Sequence, residues 1–169
     1  MVQHAGPVPA AAIDPDELVT AWGFVVEGYA RIGAAIRRDL LEHCELDAAE
    51  FEVLLRLSRS PEQRQTASQL AAEVSFSSGG FTKLADRLQR AGHVERVPCQ
   101  NDRRVVWIAL TPSGRQRIDA AVARHVELLR REVLEPLGAE RFAAMSEAMR
   151  LLRDRPGERG TARRDGADG

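Results

Sequence analysis

Thr82-Lys83-Leu84-Ala85-Asp86-Arg87-Leu88-Gln89-Arg90-Ala91-Gly92-His93-Val94-Glu95-Arg96 joins a helical pattern to a β-rich one across a single glycine. Its first part has helical spacing, because Leu84 and Leu88, with Phe81 just before it, recur at steps of three and four and share one side. Gly92 is the residue type that ends a helix in a left-handed turn. After it the periodicity changes: residues 93–97 and 105–110 are β-rich runs. The polar connector Pro98-Cys99-Gln100-Asn101-Asp102-Arg103-Arg104 separates them. The pattern predicts a β-hairpin with a long tip. Thr111-Pro112 then ends the second strand and opens a helix, with Thr as cap and Pro at the first helical position.

Upstream, Thr66-Ala67-Ser68-Gln69 reads as a capping box opening a short helix with Leu70, Ala71 and Val74 inward. Ser75-Phe76-Ser77 interrupts it before a further helix from about Ser78. Two short helices divided by a tight turn form a helix-turn-helix candidate. Residues 60–65 read as a polar loop. Before them, Asp47 and Glu50 form another capping box, and Leu46 and Phe51 form a hydrophobic staple. The helix they open carries Phe51, Leu54, Leu55 and Leu57 and ends before Pro61.

Longer amphipathic helices flank this middle. Leu18, Trp22, Val25, Tyr29, Ile32, Ile36 and Leu40 form one stripe from Asp16 onward. Arg31, Arg37, Arg38 and Asp39 fall between them and are expected to be solvated. A fifth helix carries Ile118, Val122, Val126, Leu129 and Val133 up to Pro136. A sixth, from about Ala139, carries Phe142, Met145, Met149 and Leu152 and stops before Pro156. The predicted order is α-α-α-α-β-β-α-α, mainly α with a small β-hairpin wing. Residues 1–15 read as a flexible tail and 156–169 as a disordered one.

The composition of the 169 residues, 44% hydrophobic and 29% charged, is that of an ordinary globular chain. No apolar run approaches the ~18 residues that a membrane span needs. The N-terminus does not read as a signal peptide, so a cytoplasmic protein is expected. Two cysteines without a CxxC pair and four scattered histidines offer no disulfide framework or metal site. No phosphate-binding glycine loop, nucleophilic triad or paired carboxylates appear, so the chain reads as no enzyme and as needing no cofactor. The net charge of −1 hides a gradient: residues 77–104 carry six cations and three carboxylates, a net +3. Such a segment can grip phosphates, because the potential that matters acts within ~8–10 Å. A solvated basic face is the competing reading.

A helix that reads DNA enters a major groove about 12 Å wide with its N-terminal residues at base edges. Ser77, Ser78, Thr82, Lys83 and, one turn on, Arg87 supply hydrogen-bonding groups there. Gly79 and Gly80 would allow a close backbone approach. An ordinary amphipathic surface helix is the alternative. In the hairpin tip, Arg103 and Arg104 suit a narrow minor groove, and Asp102 would orient an arginine through a charge-assisted pair. The alternative is a solvated loop with a chance ion pair.

The run from Thr82 to Arg96 is similar to the recognition-helix signature of MarR regulators. Asn101-Asp102-Arg103-Arg104, a strand, and Leu110-Thr111-Pro112-Ser113-Gly114 resemble the family's wing signature. The order of elements matches over residues 16–153. The resemblance implies one winged helix-turn-helix domain, 16–155, with a DNA-binding lobe at about 47–111. Dimerisation helices would lie at about 16–45 and 112–155. It implies a homodimeric transcriptional regulator, most often a repressor, on a palindromic inverted-repeat operator in double-stranded DNA. Release would come from a small molecule or an oxidant. It places Asp102 with Arg104 or Arg103 at the minor groove, and Ser78, Thr82 and Lys83 at bases and phosphates. Gly79-Gly80 departs from the bulkier residues usual there and shifts weight toward shape readout. Trp22, Tyr29, His43 and Phe51 are candidates to line a cleft for a small phenolic or other aromatic ligand; core or dimer packing competes for Trp22 and Tyr29. Neither Cys44 nor Cys99 has neighbours that mark a reactive thiol. Two rivals are a helical module that binds a protein partner and a metal-dependent regulator, and the second lacks clustered His, Cys and Glu.

Overall fold

The computed structural model describes residues 13–74, 78–99 and 105–155. They divide into two compact units that part between Leu128 and Leu129.

The first unit opens with α1 (Pro15–Cys44), capped by Asp14, whose carboxylate accepts from the Asp16 and Glu17 amides. α2 (Ala48–Arg59) starts at the Asp47–Glu50 capping box, with both reciprocal bonds present at 2.8 and 3.0 Å. α3 (Ala67–Glu73) starts at a second such box between Thr66 and Gln69. α4 (Ser78–Arg90) ends at Gly92, at φ +76°. There the Gly92 amide donates to Gln89 and the His93 amide to Leu88, each at 2.9 Å. These are the two bonds of a Schellman motif, which requires the left-handed residue that glycine supplies. β2 (Val94–Pro98) and β3 (Val106–Leu110) follow, and α5 (Pro112–Leu129) begins at the expected Thr-Pro step.

Residues 60–65 are more ordered than a polar loop. After a 3-10 turn at Pro61–Gln63, a three-residue strand β1 (Arg64–Thr66) pairs antiparallel with β3. The sheet therefore has three strands in the order β1-β3-β2, with Gln65 and Arg96 both opposite Ile108. Arg-Gln-Thr shows no apolar alternation, so the pattern that marks strands is missing; the ladder to β3 makes this one.

Leu40, Leu46, Phe51, Val53, Leu54, Leu57, Leu70, Phe81, Leu84, Leu88, Val94, Ile108 and Ile118 form one buried core that joins the helices of this unit to its sheet. Each such side chain contributes about 1.5–3 kcal/mol relative to exposure. Leu46 and Phe51, the expected staple, are both in it. Two expectations need correction. Asp39 is buried, not solvated: it lies three residues after Ile36, on the stripe's own side, and Arg124 of α5 reaches it at 2.7 Å. On α5 the buried positions are Gly114, Ile118, Ala121 and Leu128, while Val126 is exposed. The inward face is thus rotated from the one that the valines suggest.

In the second unit a π-helical turn (Arg130–Leu134) leads into α6 (Glu135–Arg153). Gly138, at φ +76°, breaks the helical backbone near the expected boundary between the fifth and sixth helices. Met145, Met149, Leu151 and Leu152 of α6 are exposed.

The tightest junction lies where β3 hands over to α5. The Thr111 amide donates to the His93 carbonyl at 3.1 Å, and the Thr111 hydroxyl donates to the Gly92 carbonyl at 2.6 Å. The same hydroxyl oxygen accepts from the Gly114 amide at 2.9 Å and so caps α5. A Cβ on Gly114 would sit 1.9 Å from the His93 carbonyl oxygen. Gly114→Ala is therefore expected to cost about 3 kcal/mol or more, because backbone must move to admit it. Gly79→Ala, which meets nothing within 4 Å, should be neutral or stabilising. Urea unfolding of both variants checks this, and equal midpoints would refute the close-approach account.

Candidate nucleic-acid interface

α4 is held by one side. Phe81, Leu84, Ala85 and Leu88 are buried in the core, whereas Thr82 and Lys83 are exposed on the outer side of its first turns. Lys83 enters no ion pair among the described residues, so its ammonium is available to a phosphate. Asp86 and Gln89 on α4 both receive Arg96 of β2, at 2.7 and 2.8 Å, which ties the helix to the hairpin. Arg56 of α2 pairs with Glu52 at 2.7 Å and Glu73 at 3.0 Å, tying α3 to α2 in the same way. At the base of the wing, the Arg64 guanidinium lies 5.1 Å from the centroid of Trp107. Cys99 donates its amide to the Val105 carbonyl at 3.0 Å and closes the strand pair.

Arg87, also expected among the DNA-facing residues, has partners within the fold. Its guanidinium turns onto α2, 2.6 Å from Asp47 and 3.3 Å from Glu50. Ser77, Asp102, Arg103 and Arg104 lie outside the described residues, as does the side chain of Ser78.

A helix-turn-helix pair followed by a hairpin wing, framed by longer helices, recurs in known proteins. A model of the MarR family matches residues 45–105. The chain is 32% identical over 120 residues to the HTH-type transcriptional regulator PecS of Dickeya dadantii, covering 69% of this chain and 72% of that one. The chain belongs to the MarR family. Its fold is similar to that of AbsC, a MarR family transcriptional regulator from Streptomyces coelicolor (TM-score 0.75, 25% identity, 83% and 94% of the two chains). It is likewise similar to a second regulator of that family and organism, solved in complex with DNA (TM-score 0.75, 23% identity, 83% and 91%). These relatives are transcriptional regulators, not enzymes. Among the described residues of this MarR-family chain, no helix is long and apolar enough to cross a membrane.

The four candidate ligand residues do not converge within one chain. Trp22 and His43 both lie on α1, about 30 Å apart along its axis at 1.5 Å per residue. Phe51 is buried in the core, its ring 5.1 Å from that of His125. His43 sits 3.5 Å from Asp39 at the far end of α1. Of the four, Trp22 and Tyr29 share an exposed face, at 59% and 81% exposure. Helical spacing puts all four near apolar stripes without fixing which way each stripe looks.

A polar cluster that sequence reasoning missed gathers where α1, α2 and α5 meet. Arg124 donates from Nε to both Asp39 oxygens at 3.1 Å, and Arg117 donates to the Cys44 carbonyl at 3.0 Å and to Glu45 at 3.1 Å. Burial, helped by the Asp39 carboxylate, pushes the Cys44 thiol up, so it is a poor thiolate. Burial lowers the pKa of His93, with Arg117 adding to the effect and Glu50 opposing it. Burial also lowers that of His125, against the pull of Asp39.

Both imidazoles therefore resist protonation when folded but accept it near pH 6.5 when unfolded. Below that pH the unfolded chain binds more protons, so stability present above it is lost as pH falls toward the folded-state values. Each imidazole contributes a slope of at most about 1.4 kcal/mol per pH unit. Melting temperatures followed by circular dichroism should fall from pH 7 to 5.5, and His125→Gln should flatten the decline. A wild-type curve that is level over this window would contradict the assignment.

Proposed function

We propose that this protein is a homodimeric transcriptional repressor that binds an inverted-repeat operator in double-stranded DNA. The observation that carries the reading is α4 itself: an apolar side fastened in the core, with Thr82 and Lys83 on the outer side of its first turns. That is the division of faces a major-groove helix needs. Ser77 and Ser78 would add hydrogen-bonding groups beside them. Asp102, Arg103 and Arg104 would form the wing tip at the minor groove, with the aspartate orienting an arginine. The DNA-bound regulator of the same fold and family membership support this assignment.

The dimer is supported by α1. Leu18, Val19, Trp22, Val25, Val26 and Tyr29 of one chain are all exposed on a band about a third of the helix circumference wide. A monomer rarely leaves more than ~300–600 Å² of contiguous apolar surface in water. A second copy, related by a two-fold axis, is the occupant that symmetry favours. Control by a small aromatic ligand completes the proposal, supported by family membership.

Sedimentation at micromolar concentration is expected to show a dimer, and Trp22→Glu should shift it toward monomer. A stable wild-type monomer would end the dimeric reading. In fluorescence-anisotropy titrations, Lys83→Ala should weaken binding to all duplexes similarly and lower the salt slope by about 1 for each phosphate that the lysine neutralises. Arg104→Ala should cost roughly 1–3 kcal/mol per subunit and reduce preference for A·T pairs beneath the wing. Asp102→Ala should also weaken binding, although it removes a negative charge. Tighter binding by Asp102→Ala together with unchanged binding by Arg104→Ala would show that the wing does not read DNA.

A further inference from the structure

The Asp47–Glu50 capping box uses only half of its carboxylate oxygens. Asp47 Oδ1 accepts the Glu50 amide at 2.8 Å, and Glu50 Oε2 accepts the Asp47 amide at 3.0 Å. The remaining two oxygens are both taken by one residue of α4: Arg87 reaches Asp47 Oδ2 through Nη2 at 2.6 Å and Glu50 Oε1 through Nε at 3.3 Å. The start of α2 and the recognition helix thus share a single guanidinium.

We propose that Arg87 is a positioning residue that fastens α4 to the α2 capping box, and not itself a DNA contact. This rests on the DNA-binding reading above. Three physical features support it. Both acceptors are already fixed by the bonds of the box, so only the arginine loses freedom when the clamp forms. A planar fork with separated N–H donors can serve two carboxylates at once, which a single ammonium cannot do with the same geometry. Moving the guanidinium to a phosphate would leave two carboxylates unpaired beside a polyanion.

The clamp supplies what the core cannot. Burial of Phe81, Leu84 and Leu88 sets the depth of α4, but apolar contact is non-directional and resists rolling of the helix weakly. The hydrogen bond from Arg87 to Asp47 and its ion pair with Glu50, one turn beyond Lys83, fix the roll and so the direction in which Thr82 and Lys83 face.

The test uses the full-length protein and the duplex recovered from its own genomic footprint. Asp47→Asn with Glu50→Gln removes both charges yet keeps residues that serve as cap and box partner. This pair, Arg87→Ala, Arg87→Lys and the triple variant are titrated against the duplex at several salt concentrations. Their melting without DNA is measured in a double-mutant cycle. The neutralised pair and Arg87→Ala should each weaken binding about three- to thirtyfold for the dimer with the salt slope unchanged. The triple variant should be no worse than either, Arg87→Lys should fail nearly as badly as Arg87→Ala, and melting should show coupling between Arg87 and the two carboxylates. Tighter binding by the neutralised pair, or an Arg87→Ala slope lowered by about 1 per phosphate with rescue by lysine, would make Arg87 a phosphate ligand and overturn the clamp. Absent coupling in melting, with wild-type DNA binding intact, would overturn the clamp alone. A wild-type protein without preference for any duplex would overturn the DNA reading itself.

Discussion

The close backbone approach between Gly114 and His93 sets the geometry around which the first unit is assembled. Four segments meet within one hydrogen-bonded knot: the end of α4, the start of β2, the end of β3 and the first turn of α5. Thr111 bonds to the two carbonyls that follow α4 and caps the helix that follows β3. The side-chain-free Gly114 lets that helix lie against the His93 carbonyl. The hairpin therefore leaves and returns at one fixed place beside the end of α4. Without that anchor, the tie from Arg96 to Asp86 and Gln89 would have no constant distance to span.

Arginine is the recurrent link between elements in this unit. Arg56 joins α2 to α3, Arg87 joins α4 to α2, Arg96 joins β2 to α4, and Arg117 and Arg124 join α5 to the end of α1. Most of these pairs are part-exposed, where a single ion pair contributes roughly 0–1 kcal/mol. Their value is directional. The core holds the helices together, and the guanidinium forks set how each is turned about its axis. The apolar core and the guanidinium forks thus supply two different kinds of restraint.

How much of this is legible in the sequence depends on the distance along the chain between partners. The capping boxes at Asp47 and Thr66, the left-handed Gly92 and the Thr111-Pro112 start are readable because each is settled within a few residues. Strand β1 escapes such a reading because Arg64, Gln65 and Thr66 have no pattern of their own and gain strand geometry from β3, more than forty residues on. Asp39 reads as solvated although its spacing from Ile36 places it inward; Arg124, 85 positions later, shows how a carboxylate is tolerated there. Arg87 reads as a groove-facing cation for a similar reason. Its partners lie on a helix that local periodicity does not connect to α4. Helical spacing likewise identifies apolar stripes but not which of them meets another surface. This is why the Trp22, Tyr29, His43 and Phe51 set separates into an exposed pair, a helix-end imidazole and a core ring.

The short strand β1 also bears on how this chain avoids the wrong neighbours. A small sheet has two open margins, each a row of backbone donors and acceptors that invites another polypeptide to add on. Here one margin is β1, only three residues long and led by a charged arginine. The other is β2, which carries Glu95 and Arg96 and ends in Pro98, a residue with no amide proton to offer an incoming strand. Both margins are poor templates for amyloid-like stacking or strand exchange. Among the described residues, that leaves helical surfaces as the faces open to another chain, where shape and side-chain identity discriminate between partners far better than a bare peptide edge does.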